Sequence, residues 1–174
     1  VEDLRYPIGR FVAAFPYTPG QIERHISLLE HFPTRLRQVT AGLTDNQLDT
    51  PYREGGWSVR QVVHHLADSH VHAYVRTKWI ITEDTPVIKA YLEKAWAETS
   101  ETAAGIELSL QLLQALHAKW VALLRALPPA AFERQLLHPE SKKHIRLDTL
   151  AATYAWHGEH HAMHIQRLKE RMRW

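Results

Sequence analysis

Cysteine is absent from the 174-residue chain. Its absence excludes disulfides, a thiolate metal site and a cysteine nucleophile. Long apolar runs are missing too, and nothing approaches the ~18 residues of a membrane span. There is no basic block: net charge is +2 with histidine neutral, and acids and bases are interspersed. Neither nucleic acid nor a membrane surface is therefore expected as a partner. The opening residues Val1-Glu2-Asp3-Leu4 lack the charged and apolar regions of a signal peptide, so a cytoplasmic location is the expectation. Glycine-rich phosphate loops, internal repeats, low-complexity linkers and a serine–histidine–acid spacing are also lacking.

Histidine is the one residue in excess. The chain holds 13 histidines, and eight of them fall in two clusters. His64, His65, His70 and His72 form one; His157, His160, His161 and His164 form the other. Two separated clusters are what a site built between two helices requires. Hydrophobic residues at 45% and charged residues at 23% place the remainder among ordinary globular chains. The length suits one domain spanning residues 1–174.

Four long helices are legible. Residues 1–17 read as an extended, packed arm. Thr18-Pro19 then caps a first helix to about Gly42, with Ile22, Ile26, Leu29, Leu36, Val39 and Leu43 as its stripe and a kink expected at Pro33. After a connector in which Thr44 or Asp45 caps a short turn, Ser58 and Gln61 form a capping-box signature for a helix from Val59 to about Thr82. Its inward stripe is Val59, Val62, Leu66, Ser69 and Ala73, with His65 inside it, His72 and Arg76 on its flank, and His64 turned away from it, toward solvent or packed at an edge. Tyr91–Trp96 is expected to add a short helix. The third long helix covers about Ile106–Leu127, with Leu108, Leu112, Leu116, Trp120 and Leu123 at core spacing. A crossover with a small hairpin follows, and Asp148 is read as the cap of a fourth helix with Leu150, Tyr154, Ile165, Leu168 and Met172 inward. The expected fold is all-α, a single four-helix bundle with long crossovers, and such bundles commonly hold metals between facing helices.

Histidines four apart on a helix project from adjacent turns and can share one metal ion. His160 with His164 is one such pair and His157 with His161 another. Periodicity leaves the choice open, although His157 and His161 lie nearer the centre of the apolar stripe than His160. His65 from the second helix would add a third neutral nitrogen. Three ligands and an open position are the catalytic zinc arrangement, which activates water near neutral pH or takes a thiol as thiolate. Asp68 and His161 are candidates to orient a ligand imidazole. Glu159 is expected at the surface, Arg53, Arg60 and Arg76 could receive an anionic substrate or form ordinary pairs, and Trp57, Trp120 and Trp156 are expected to pack the bundle.

Several stretches together resemble the DinB-like superfamily, and within it the YfiT-type branch of metal-dependent hydrolases. They are Tyr6-Pro7-Ile8-Gly9, L-D-T-P-Y-R-E-G-G-W at 48–57, V-R-Q-V-V-H-H-L-A-D-S-H at 59–70, L-L-Q-A-L-H-A-K-W at 112–120, His138-Pro139-Glu140 and W-H-G-E-H-H-A-M-H at 156–164. The resemblance implies a four-helix bundle, a homodimer and a three-histidine divalent metal site. It carries the second histidine of H-H-L over to His65, and the first and last positions of H-H-x-x-H to His160 and His164. Zinc is the expected ion, and nickel also suits imidazole. The activity implied is hydrolysis of a small-molecule substrate. A related branch resembles bacillithiol-type S-transferases, which use a low-molecular-weight thiol. A non-catalytic metal-binding bundle is the third reading.

Overall fold

In the computed structural model, residues 3–174 are described. The elements are α1 (Pro19–Thr40), α2 (Asp45–Leu48), α3 (Val59–Thr82), α4 (Glu93–Trp96), α5 (Glu107–Arg125), a hairpin of β1 (Gln135–His138) and β2 (Lys143–Arg146), and α6 (Leu147–Met172). Two short 3₁₀ turns, Ser100–Ala103 and Pro129–Glu133, flank α5. Helices α1 and α3 each pack against both α5 and α6, which makes the four long helices a bundle. None of the helices is long and apolar enough to cross a membrane.

The local signals act as expected at three helix starts. Thr18 with Gln21, Thr44 with Gln47 and Ser58 with Gln61 each form a reciprocal capping box. Gly42, at φ 76°, turns the chain away just beyond α1, and Gly55, at φ 63°, shapes the turn that delivers Trp57. The helix α1 continues through Pro33, which is buried.

Three expectations are corrected. Asp148 is not the cap of α6: Arg146 holds that position, and the buried Asp148 sits in the first turn. Its carboxylate accepts from Thr149 N at 2.6 Å and Arg146 Nη2 at 2.8 Å. Met172, 50% exposed, lies beyond the core. On α5 the buried row is Leu110, Leu113, His117, Trp120, Val121 and Leu124, while Leu108 and Leu112 are 64% and 46% exposed. The leucine-rich helix offers two apolar rows, and its neighbours select the one that carries His117.

The core forms two apolar clusters. Ile26, Leu29, Ala73, Ile80, Trp120, Leu124 and Tyr154 belong to one; Phe32, Leu36, Val62, Leu66, Leu113 and Ile165 belong to the other. Along α3, α5 and α6 the histidines fall in the gap: His70 between Leu66 and Ala73, His117 between Leu113 and Trp120, His157 and His161 between Tyr154 and Ile165. A polar layer thus crosses the bundle between two apolar ones.

Gly158 permits the close approach of α6 to α1 at this layer. A Cβ there would lie 2.7 Å from Cδ2 of Phe32, whose ring stacks 5.1 Å from His70. Gly158→Ala gains roughly 1 kcal/mol of helix propensity, but overpacking a buried ring costs about 1–3 kcal/mol. The expected result is a net loss of about 1 kcal/mol in urea unfolding. A more stable variant would show that Phe32 moves aside freely.

Candidate metal centre

The site begins with one turn of α3 facing two turns of α6. His65 projects from the buried stripe of α3 and is itself buried. Its Nε2 lies 3.3 Å from Nε2 of His157, and its ring centroid lies 5.1 Å from that of His161. The ligand nitrogens of His65, His157 and His161 are all within 4.8 Å of one another. A second group meets the same spacing on α6 alone, made of His160, His161 and His164. Among the described residues no such group contains His65 with both His160 and His164. The expected ligands therefore fall into two groups that share His161.

The surroundings of the two groups differ. Trp57 packs its ring 4.6 Å from that of His65. A cleft of about 220 Å³ lined by Tyr52, Arg53, Gly55, Gly56, Trp57 and Lys94 reaches His161. Trp57 is thus a cleft residue as well as a packing one, whereas Trp120 is fully buried and donates from Nε1 to Thr77 Oγ1 at 3.0 Å. His164 stacks on Tyr52 at 4.0 Å, its Nε2 lies 3.3 Å from the Arg5 carbonyl, and its Nδ1 lies 3.3 Å from His161 Nδ1. His160 stacks on Trp156 at 4.5 Å, and its buried Nδ1 has no hydrogen-bond partner among the described residues. The N-terminal arm covers this outer side: Tyr6 approaches His160 at 5.9 Å and Phe11 approaches Trp156 at 6.0 Å.

Burial keeps these imidazoles neutral. It pushes His65, His160 and His164 down to about 4, and holds His157 and His161 well below the usual imidazole range, with neighbouring histidines adding to the effect. Neutral imidazole is the form that binds a metal.

The remaining candidates take structural places. His64 is buried rather than solvent-facing, with Nδ1 2.7 Å from Ser109 Oγ and Nε2 3.2 Å from the Ala104 carbonyl. These partners come from outside α3, so the period of α3 gave no sign of them. Asp68 is half-buried beside Glu101; burial is the main cause of its raised pKa, and it hydrogen-bonds to none of the cluster histidines. Arg60 is buried in ion pairs with Asp45 at 2.8 Å and Asp49 at 2.6 Å. Arg76 donates to the Tyr154 hydroxyl at 3.3 Å, and Glu159 pairs with Arg35 at 3.3 Å. Sequence reasoning gave no role to His70, which lies directly behind His157, or to His117, which lies behind His70. The available signal was His117 at core spacing between Leu113 and Trp120.

Comparison with known proteins agrees with this architecture. The DinB superfamily model matches residues 28–165. YfiT of Bacillus subtilis (strain 168), named as a candidate metal-dependent hydrolase, is 47% identical over 173 residues, covering 99% of this chain and 97% of that protein. Proteins of the same designation from Bacillus mycoides (strain KBAB4) and Geobacillus kaustophilus (strain HTA426) are each 45% identical over 174 and 175 residues, covering all of this chain and 100% and 98% of their own. A solved structure of Bacillus subtilis YfiT, described as having an unusual four-helix bundle topology, superposes with a TM-score of 0.97 at 48% identity over 98% of both chains. The chain therefore belongs to the DinB superfamily and is closely related to the YfiT-type proteins.

Proposed function

We propose that this protein is a metal-dependent enzyme of hydrolase type, whose divalent ion is held by His65, His157 and His161. Zinc is the ion favoured, with nickel next, since three neutral imidazoles suit both. The observation that carries this reading is the 3.3 Å between His65 Nε2 and His157 Nε2 on facing helices. Two nitrogens bound to one zinc at 2.0–2.1 Å in tetrahedral geometry stand about 3.4 Å apart. The His65–His157 pair therefore suits the ion in chemistry and in spacing, and His161 offers a third imidazole nitrogen within 4.8 Å of both. When bound, the ion supplies Lewis acidity that makes a water or thiol at its open position a nucleophile near neutral pH.

The chain's own residues hold and admit. Trp57 restrains the His65 ring, and the cleft through Tyr52 and Gly56 gives a small molecule access to His161. Arg53 and Lys94 make that cleft positive, which favours an anionic substrate. The same feature supports a second reading, S-transfer from a low-molecular-weight anionic thiol, because the chain has no cysteine of its own. A cytoplasmic homodimer belongs to the proposal as well; exposed Leu108 and Leu112 on α5 offer it an apolar contact.

The test is elemental analysis of untagged wild-type protein and His65→Ala, followed by activity screens. The expected result is about one divalent ion per chain, lost in the variant. Hydrolysis without added thiol supports the first reading, and turnover that needs both a small thiol and an electrophile supports the second. Bound metal with neither activity leaves a non-catalytic bundle. Wild-type protein that takes up no metal, or a variant that keeps it, refutes the site.

A further inference from the structure

Three groups stand in line behind His157, and with it they join four different helices. His157 Nδ1 lies 3.4 Å from His70 Nε2, His70 Nδ1 lies 2.8 Å from His117 Nε2, and His117 Nδ1 lies 2.6 Å from the carbonyl oxygen of Leu29. His70 is completely buried and His117 nearly so. Phe32, Trp120 and Tyr154 wall in His70 at 5.1, 6.3 and 5.3 Å.

The carbonyl at the end of the line is free because of Pro33. Inside α1 the oxygen of Leu29 would normally accept from the backbone N–H four residues on, but that residue is proline and has none. A buried carbonyl left without a donor is costly. Nδ1–H of His117 replaces the missing bond.

A carbonyl only accepts, and this sets every proton behind it. His117 must carry its proton on Nδ1, which leaves Nε2 as a lone pair. His70 must then donate from Nδ1 and accept at Nε2, and His157 must donate from Nδ1. The lone pair of His157 is thereby placed on Nε2, the atom 3.3 Å from His65 Nε2. A neutral imidazole has one donor and one acceptor, so each ring can satisfy only one neighbour in each sense.

We infer that His70 and His117 are positioning residues of the metal centre: anchored on the Leu29 carbonyl that Pro33 leaves unpaired, they hold His157 in the tautomer that presents Nε2 as a metal ligand. The inference rests on the proposed His65–His157–His161 site. Ligating histidines generally donate their other N–H to an acceptor, most often a carboxylate or backbone carbonyl. Here the acceptor is relayed through two further imidazoles, which no acidic residue could do in this buried layer without burying a charge. Burial holds His70 well below the usual imidazole range and His117 at about 4, so both remain neutral, as the alternation of donor and acceptor needs.

The test has two arms on the full-length protein. In the first, long-range ¹H–¹⁵N NMR of chelator-treated, metal-free protein reads the tautomers. Nδ1–H at His117, His70 and His157 is expected; Nε2–H at His157 or His70 overturns the relay. This arm needs no metal, so it stands or falls apart from the site proposal. In the second, zinc affinity is measured by chelator competition in His117→Phe, His117→Asn and His117→Gln. Phenylalanine fills the core without an acceptor, and asparagine keeps only the donor to Leu29. Glutamine places its amide oxygen near the position of Nε2. The first two are expected to weaken zinc binding about 10–100-fold, with helical content retained, and glutamine to restore most of it. Wild-type affinity in the phenylalanine variant, or equal losses in all three, overturns the relay. Should phenylalanine fail to fold, the asparagine–glutamine comparison and the first arm still decide.

Discussion

His157→Ala is expected to abolish stoichiometric zinc binding, while His160→Ala leaves it nearly intact. The two residues are three apart on α6, and both belong to histidine pairs at i, i+4 spacing, so the contrast isolates which pair works with α3. His157 meets His65 across the helix interface at 3.3 Å, whereas His160 packs between Trp156 and Tyr6 under the N-terminal arm. Loss of a direct ligand should exceed the roughly 10–100-fold cost of losing a partner outside the coordination shell. His164→Ala is expected to fall between: its Nδ1 faces His161 Nδ1 and its Nε2 the Arg5 carbonyl, so it can orient His161 without touching the ion. Chelator competition on the three variants checks this order. If His160→Ala and His164→Ala lose the metal and His157→Ala keeps it, the ligands are His65, His160 and His164, as the motif correspondence implies.

That contrast marks what a sequence of this kind discloses. The four long helices, the caps of two of them and the hairpin were legible, because local chemistry decides them: Thr18 and Ser58 cap with glutamines three residues on, as Thr44, one of the two residues read for it, does for the short α2. His65 as a buried residue on the working face was legible from the period of α3. The family resemblance pointed to His160 and His164, while spacing left the pair open and the period of α6 put His157 and His161 nearer the centre of its apolar stripe than His160; the structure groups His157 and His161 with His65. What the sequence concealed is non-local. The burial of His64 depends on Ser109 and Ala104, the inward row of α5 depends on which neighbours it meets, and the line from Leu29 to His157 joins residues 128 positions apart through two others. Pro33 was readable as a helix irregularity, but its consequence is a carbonyl offered to another helix, which no single-helix pattern displays.

Metal-free protein is expected to lose most of its stability between pH 6.5 and 4. In the unfolded chain histidine titrates near 6.5. In the folded chain burial takes His65 and His117 down to about 4, and holds His70, His157 and His161 well below 6.5. Across that window the unfolded state binds protons that the folded state refuses, so stability falls as pH falls. At 1.36 kcal/mol per unit, His65 and His117 each cost about 3 kcal/mol by pH 4, against a total of roughly 5–15 kcal/mol for a domain. Carboxylates do not reverse the trend. The lowered groups, such as Glu30 and Glu107, are exposed and act in the same sense as the histidines, and the raised ones act in the opposite sense but stay in reach of water, Asp68 half-buried and Glu93 exposed. Urea midpoints measured from pH 7.5 to 4.5 should therefore drop steeply below 6.5, well before carboxylates titrate. Excess zinc should move the drop to lower pH, since the ion binds only deprotonated imidazole and so draws on the same equilibrium. A flat profile down to pH 5 would mean that the histidine layer opens to water, and with it the neutral donor set on which the metal centre depends.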